Sequence, residues 1–187
     1  MKKVICMLLA LAMLASLTAC GKSTADGTTA GTTTAATVPA AHVEGTLEEL
    51  LNRVIEENPV EFMGGVTNLD LTDTSEDGLW ALKYNTGLDS ADQITEAAVF
   101  EPMIGSLPFS MVMVRTADGA DSKAVAEAMK SGIDTRKWIC VEADDLKVAG
   151  YADVVMLIMV SSANDQTAQS FVDAFQKAVG GEPEFVI

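Results

Sequence analysis

The side chains best suited to chemistry in this sequence are carboxylates, and one short stretch spaces them as a calcium-binding loop would. Within the segment DTSEDG, Asp73, Ser75 and Asp77 occupy alternate positions, and a glycine follows. They match positions 1, 3, 5 and 6 of a calcium loop of the EF-hand type, which supplies oxygen ligands to the ion. Such a loop has a carboxylate at position 12, and here that position is Tyr84. The alternative, which we favour, is a helix start capped by Thr74 or Ser75.

A second group of carboxylates lies in the segment VEADDLK. Glu142, Asp144 and Asp145 are close enough in sequence to share a proton or to bind a metal ion together. In a chain this acidic, a solvated turn is the alternative interpretation. These three residues, with Asp73 and Asp77, are the candidate metal ligands, and Ca²⁺ is the candidate ion; the sequence predicts no other cofactor.

The familiar catalytic motifs are absent from the sequence. It contains no nucleophile elbow, no zinc-protease motif, no phosphate-binding loop and no glycine pattern for dinucleotides. The one histidine, His42, has no second histidine or cysteine nearby, so we expect a solvated linker residue. We therefore predict a non-enzymatic protein. The enzymatic alternative is a hydrolase of cell-wall glycans that works through two facing carboxylates.

The remaining reactive and aromatic side chains are expected in the core. Cys140 lies between two apolar neighbours in the segment KWICVEA. Apolar surroundings raise the pKa of a thiol, so this context predicts a buried and unreactive cysteine. Trp80 and Trp138 are the two tryptophans, and with so few aromatic residues in the chain we expect them to pack in the core and not to form a ligand platform.

The N-terminal residues have the layout of a bacterial export signal. A basic start, Met1–Lys3, precedes a charge-free apolar run from Val4 to Ala19, which is shorter than the roughly 20 residues that span a bilayer. The tetrapeptide Leu17–Cys20 resembles the lipobox of bacterial lipoproteins. That resemblance implies removal of residues 1–19 and a diacylglycerol on Cys20, which anchors the chain to the outer face of the cell membrane. The alternatives are an ordinary cleaved signal and an uncleaved anchor.

The chain between the lipobox and the domain is low in large apolar side chains. Residues 20–43 are mostly threonine, alanine and glycine, a composition that cannot bury enough surface to offset its ordering entropy. We predict a disordered tether with an r.m.s. span of roughly 25–30 Å. Residues 44–187 have the length of a single domain.

The charge of the chain excludes one class of partner. The formal net charge is −15, with 27 acidic and 12 basic residues, and loss of Lys2 and Lys3 with the signal would make it −17. Nucleic-acid binding is excluded because phosphate contacts need a basic surface. The acidity also argues against electrostatic binding to anionic lipids, so the lipid on Cys20 is the predicted membrane contact.

Capping and periodicity predict the elements of the domain. Thr46 and Glu49 form a capping box ahead of an apolar stripe, so a helix begins there and ends before Pro59. Further on, residues 111–132 align without gaps on residues 157–178, and each stretch has the pattern of a strand, a turn and a helix. An extended segment precedes each stretch. We therefore predict an α+β fold with an N-terminal helix and two ββα units, which form a mainly antiparallel sheet with helices packed on one face.

The stretch from about Leu47 to Val179 resembles DUF4358, a domain family of uncharacterised bacterial lipoproteins of the Clostridia type. Three segments carry the resemblance: LWALKYNTGLDSADQITEAAVF, VMVRTADGADSKAVAEAM and GYADVVMLIMVSS. The resemblance implies the exported compartment and the fold, and it implies no activity and no catalytic residues.

Together these features predict a membrane-anchored, extracytoplasmic lipoprotein. Its domain is expected to bind another envelope protein or an extracellular ligand without catalysing a reaction. The alternative function is a calcium- or carboxylate-dependent ligand site built from the acidic residues described above.

Overall fold

The structure is a computed structural model and describes residues 42–187. These residues form four α-helices and a six-stranded sheet, which confirms the predicted α+β fold. The predicted export signal, Cys20 and nearly all of the predicted tether lie outside the described residues. Within residues 42–187, no helix is long and apolar enough to cross a bilayer. The elements in chain order are α1 (Leu47–Glu57), β1 (Gly64–Asn68), α2 (Glu76–Thr86), β2 (Ile94–Pro102), β3 (Phe109–Thr116), α3 (Ser122–Gly132), β4 (Asp145–Tyr151), β5 (Val154–Val160), α4 (Ala168–Val179) and β6 (Phe185–Val186).

The predicted capping box begins the first helix. The Glu49 N–H donates to the Thr46 hydroxyl at 3.2 Å, and the Thr46 N–H donates to the Glu49 carboxylate at 3.0 Å. This reciprocal pair satisfies two of the backbone donors that a helix start leaves free. The apolar stripe that follows, Leu47, Leu50, Leu51 and Val54, is buried against the sheet.

Neighbouring strands of the sheet are all antiparallel, in the order β1-β2-β3-β5-β4-β6. Every residue of the two central strands, β3 and β5, is buried. Side chains along a strand alternate between the two faces of a sheet. Complete burial of a strand therefore requires packed side chains on both of its faces.

Helices cover both faces of this sheet. On one face, α1 and α4 pack against alternate strand residues that include Met111 and Met156. On the other face, α2 and α3 pack against the intervening residues, which include Val112 and Leu157. The structure here differs from the expectation that the helices share one face. The physical reason is that MVMV and VVMLIMV have no polar alternation, so neither face of the central strands can be left to solvent.

The two predicted ββα units are present as β2-β3-α3 and β4-β5-α4. They are not copies of each other in space. A twofold rotation about the normal to the sheet superposes β5 on β3 and β4 on β2. The same rotation leaves α4 and α3 on opposite faces. The aligned residues Met113 and Met159 likewise lie on opposite faces. The units have opposite hand, so the similarity between the two stretches of sequence does not extend to a structural repeat.

The register of the sheet defines two ends. Gly64 pairs with Pro102 and Phe109 pairs with Val160, so β1, β3 and β4 begin at the end where β2 and β5 finish. We call this the distal end. The opposite, entry end carries the β4–β5 turn, and the described chain enters there at His42. The distal end carries four loops, residues 58–63, 103–108, 133–144 and 161–167.

A buried ion pair holds the start of the described chain against the entry end. Arg115 Nη1 donates to Asp153 Oδ2 at 2.8 Å, and only 8% and 11% of these side chains is exposed. The Val43 N–H donates to Asp153 Oδ1 at 2.8 Å, and the Arg115 guanidinium donates to the carbonyls of Val43 and Gly45. His42 is largely exposed, with its Nδ1 2.6 Å from Asp153 Oδ2. Packing therefore begins before residue 44, within the segment predicted as tether.

The charge of Asp153 contributes to the stability of this arrangement. Burial alone raises the pKa of a carboxyl, but hydrogen bonds from the Val43 N–H and from Arg115 outweigh it and lower the pKa of Asp153 below 3.8. A carboxyl group with a lowered folded-state pKa stabilises the fold above its unfolded-state pKa. That stabilisation is lost as the pH falls through the folded-state value.

Replacement of the arginine tests the buried ion pair. Arg115→Met leaves the Asp153 carboxylate buried without its cation, so we expect the free energy of unfolding to fall by about 3 kcal/mol at neutral pH. The difference from the unmodified chain should shrink below about pH 4, because Asp153 takes up a proton more readily in the variant. Urea unfolding followed by circular dichroism at both pH values measures these quantities.

Arg136→Met is the matched control for that experiment. Arg136 and its partner Glu142 are 77% and 57% exposed, and such a pair contributes less than about 1 kcal/mol. Equal losses of stability in the two variants would contradict the role assigned to Arg115.

Candidate binding surface

The candidate calcium loop is the capped start of α2, which is the alternative that the sequence favoured. Ser75 is the N-cap, and its hydroxyl accepts a hydrogen bond from the Gly78 N–H at 3.2 Å. Asp73 accepts the Ser75 N–H at 2.9 Å, and hydrogen bonding to Ser75 lowers the pKa of Asp73. Asp77 lies in the first turn, where its charge is favourable against the helix dipole. Asp73 and Asp77 share the lining of a small surface cleft of about 160 Å³ with Asp70.

The second group of candidate ligands, Glu142, Asp144 and Asp145, does not converge on one site, because each carboxylate has a different partner. Asp144 accepts hydrogen bonds from the N–H and the hydroxyl of Ser162. Asp145 accepts the Ala168 N–H at the start of α4 at 2.8 Å, and Glu142 pairs with Arg136 at 3.2 Å. Among residues 42–187, no group of three or more acidic, histidine or cysteine side chains is placed to hold a metal ion.

Two of the residues expected in the core are on the surface. The prediction for Cys140 was wrong: its side chain is exposed, because β4 begins only at Asp145 and KWICVEA belongs to a distal loop. The prediction for Trp80 was also wrong, since 62% of this residue is exposed on the outer side of α2. Trp138 is half-buried and packs against the core beneath α2 and α3. Apolar neighbours in sequence do not bury a residue when the segment is a surface loop, as residues 139–141 are.

A buried lysine connects three segments near the distal end. Only 1% of the Lys137 side chain is exposed, and its ammonium lies 2.6 Å from Oε1 of Glu101 at the end of β2. The same ammonium donates to the Ser110 hydroxyl at 3.1 Å and lies 4.7 Å from the centre of the Tyr84 ring. Apart from this ammonium, Glu101 Oε1 has no polar partner among the described residues. Lys137 thus fixes the loop 133–144 to α2 and to two strands.

Burial shifts the pKa values of Lys137 and Tyr84. It lowers the pKa of Lys137 below 10.5, although the neighbouring Glu101 carboxylate opposes the shift. Burial also raises the pKa of Tyr84, and the charge of Glu101 adds to that effect. Because the folded state holds the Lys137 proton less tightly than the unfolded chain does, the fold gains stability as the pH rises toward 10.5.

Large aliphatic side chains protrude from the loops at the distal end. Met63, Met103, Ile104 and Ile139 are each between 62% and 77% exposed. The Met103 N–H donates to the Met63 carbonyl at 2.9 Å, which joins two of these loops directly. Single exposed apolar residues are ordinary, whereas contiguous exposed apolar patches are typical of interaction surfaces. We call these four residues the apolar rim.

A cleft opens between three of the distal loops beside the apolar rim. Its volume is about 460 Å³, within the range of ligand-binding clefts. The apolar part of its lining comes from one face of the sheet, where β3 begins and β5 ends, and from the adjoining loops, which also supply the polar part. The lining residues are Pro59, Glu61, Phe62, Leu107, Phe109, Val160, Ala163, Asn164, Asp165 and Gln166. We call it the distal cleft.

Comparison with known proteins gave no match. No family model matches it, and no curated protein or solved structure matches it. The resemblance to DUF4358 stays a prediction from the sequence.

The sequence did not indicate the apolar rim or the distal cleft. Their residues come from separate stretches of the chain. Met63 and Met103, for example, are 40 positions apart, and only the register of β1 and β2 brings these two together. The available signal was in EPMIGSLP and KWICVE, where large apolar residues occur within loop-forming sequence.

The buried lysine provides a stability test of the support for this surface. Lys137→Met leaves Glu101 without its cation, so we expect the free energy of unfolding to fall by about 3 kcal/mol. The double variant Glu101→Gln/Lys137→Met should regain part of that loss, because it no longer leaves an unpaired charge. Lys123→Met on the exposed side of α3 is the control, with almost no change expected. Chemical denaturation of all four proteins measures these differences, and a double variant less stable than Lys137→Met would contradict the account.

Proposed function

We propose that this protein is a lipid-anchored binding module of the outer face of the cell membrane. Its contact surface is the distal end of the sheet, with the apolar rim and the distal cleft. The observation that carries the proposal is the placement of this surface at the end opposite the point where the chain enters the domain.

The two ends are well separated along the central strands. Ser110, which contacts Lys137, and Arg115, which holds the entry segment, are five residues apart on β3. At 3.3–3.4 Å per residue this is about 17 Å. A chain anchored through Cys20 would therefore be attached at one end of the domain and would have the apolar rim at the other, while Leu79 and Trp80 are exposed on α2.

The surface is supported rigidly enough for recognition. Lys137 fixes the loop 133–144 to β2 and β3, and Gln166 joins the loop 161–167 to residues Asn58 and Pro59 through hydrogen bonds of 3.0 and 2.8 Å. Ordered loops lose little conformational entropy when a partner binds. A partner in the envelope or outside the cell is the occupant that this compartment and this surface favour.

The function is tested by cross-linking in intact cells. A photo-crosslinking amino acid in place of Ile104, on the apolar rim, should form an adduct with a partner protein or wall polymer. The same amino acid in place of Asp118, in the turn after β3 at the entry end, should form none. Gel mobility and mass spectrometry of the purified adducts report the result.

The role of the lipid is tested in the same cells. Cys20→Ala removes the acylated thiol, so the protein should leave the membrane fraction and the Ile104 adduct should decrease.

An adduct at position 118 and none at position 104 would contradict the proposed surface. Retention of Cys20→Ala in the membrane fraction would contradict the proposed anchor.

A further inference from the structure

We infer that the distal cleft binds a basic and apolar peptide segment of the partner, in which an arginine or lysine lies beside a large apolar residue. This inference rests on the proposed function, because it names the chemistry that the contact surface recognises.

The apolar part of the cleft is preformed. The rings of Phe62 and Phe109 pack edge to face with 5.0 Å between their centres, and Phe109 packs in the same way on Phe171 at 5.1 Å. Only 1% of Phe109 is exposed, so it forms a fixed floor, while Phe62 and Leu107 are half-buried at the sides. An apolar side chain that enters this cleft covers the exposed parts of Phe62 and Leu107, which rest on the buried Phe109, without moving the core.

The polar part of the lining offers hydrogen-bond acceptors. Glu61 and Asp165 are exposed carboxylates, and no basic side chain lines the cleft. Nε2 of Gln166 already donates to Asn58 Oδ1 and to the Pro59 carbonyl. The atom that Gln166 has left for a ligand is therefore the acceptor Oε1. A ligand that satisfies these groups must be rich in donors, as a guanidinium or ammonium group is.

The charged side chains around the cleft that have no salt-bridge partner are acidic. The distal loops contain five acidic residues and two basic ones, and both basic residues have an acidic partner. Arg136 pairs with Glu142, and Lys137 is buried against Glu101. Neither cation is free to offset Glu61 and Asp165. At about 0.1 M salt, charges within roughly 10 Å still act on a bound group, so the cleft attracts cations.

This electrostatic environment decides between possible occupants. An anionic lipid surface would be repelled by the acidic loops, although the apolar rim alone would suit it. A second copy of a chain with net charge −15 would bring the same acidic loops to the contact. A basic and apolar peptide segment satisfies the rim, the aromatic floor and the carboxylates together.

The inference is tested with three short synthetic peptides and the full chain in a neutral detergent. One peptide alternates arginine with leucine, the second alternates glutamate with leucine, and the third alternates arginine with serine. Isothermal titration calorimetry, with detergent alone as the blank, should show the tightest binding for the arginine–leucine peptide. We expect at least tenfold weaker binding of each of the other two. The glutamate–leucine peptide lacks the cationic side chains, and the arginine–serine peptide lacks the apolar ones.

Paired variants locate the binding. Glu61→Gln/Asp165→Asn should weaken binding of the arginine–leucine peptide at least tenfold and should leave thermal unfolding unchanged. Asp118→Asn/Glu182→Gln makes the same change in charge at the entry end and should not alter binding. Equal weakening by both double variants would overturn the inference, because it would mean general attraction to an acidic chain.

Three further outcomes keep this inference separate from the proposed function. Adducts at position 104 in cells, together with no binding of the arginine–leucine peptide, would overturn the ligand class and leave the contact surface in place. Sedimentation that shows a dimer of the unmodified chain, lost in the variant Leu107→Asn, would overturn the inference in favour of a second copy. Absence of adducts at position 104 would count against the proposed function itself.

Discussion

The constraint on which the whole structure depends is the burial of β3 and β5 on both faces. All residues of these two strands are apolar except Ser110, Arg115 and Thr116. These three are buried as well, Arg115 in an ion pair and the two hydroxyls in hydrogen bonds. Each buried large apolar side chain contributes about 1.5–3 kcal/mol relative to its exposed state. Burial of these side chains packs α1 and α4 on one face of the sheet and α2 and α3 on the other. Connections between the strands and these helices are then confined to the two ends of the sheet.

That division has a consequence for function. Because the faces are covered by helices, the two ends are where loops can gather. One end is occupied by the entry of the chain, held by the Arg115–Asp153 pair. The other end is supported by Lys137 and presents the apolar rim and the distal cleft. A buried ion pair adds little net stability over apolar packing, but the loss of one partner is costly, so each pair specifies where a segment must lie.

The sequence was sufficient for the local elements and insufficient for their arrangement in space. Thr46 and Glu49 predicted the start of α1, and the order of strands and helices in both ββα units was predicted from periodicity. The side of the sheet on which each helix packs was not predicted. Periodicity shows that a helix has an apolar face, but it does not show which face of the sheet that helix covers. The unbroken apolar pattern of β5 was the available signal for helices on both sides. Cys140 was misplaced because its apolar neighbours belong to a loop and not to a strand. The contact surface depends on strand register, which no local pattern contains.

We propose that a partner covers the distal end when the protein is in place on the cell. Cys140 lies in a distal loop beside Ile139 and is exposed, so it is a natural reporter of that surface. The most direct measurement is the rate at which a membrane-impermeant maleimide labels Cys140 in intact cells, divided by the rate in the purified chain. The same ratio for a cysteine placed at Asp118, in a Cys140→Ser chain, corrects for access through the envelope. The account predicts a lower ratio for Cys140 than for position 118. A ratio that is equal at both positions, or lower at position 118, would contradict it.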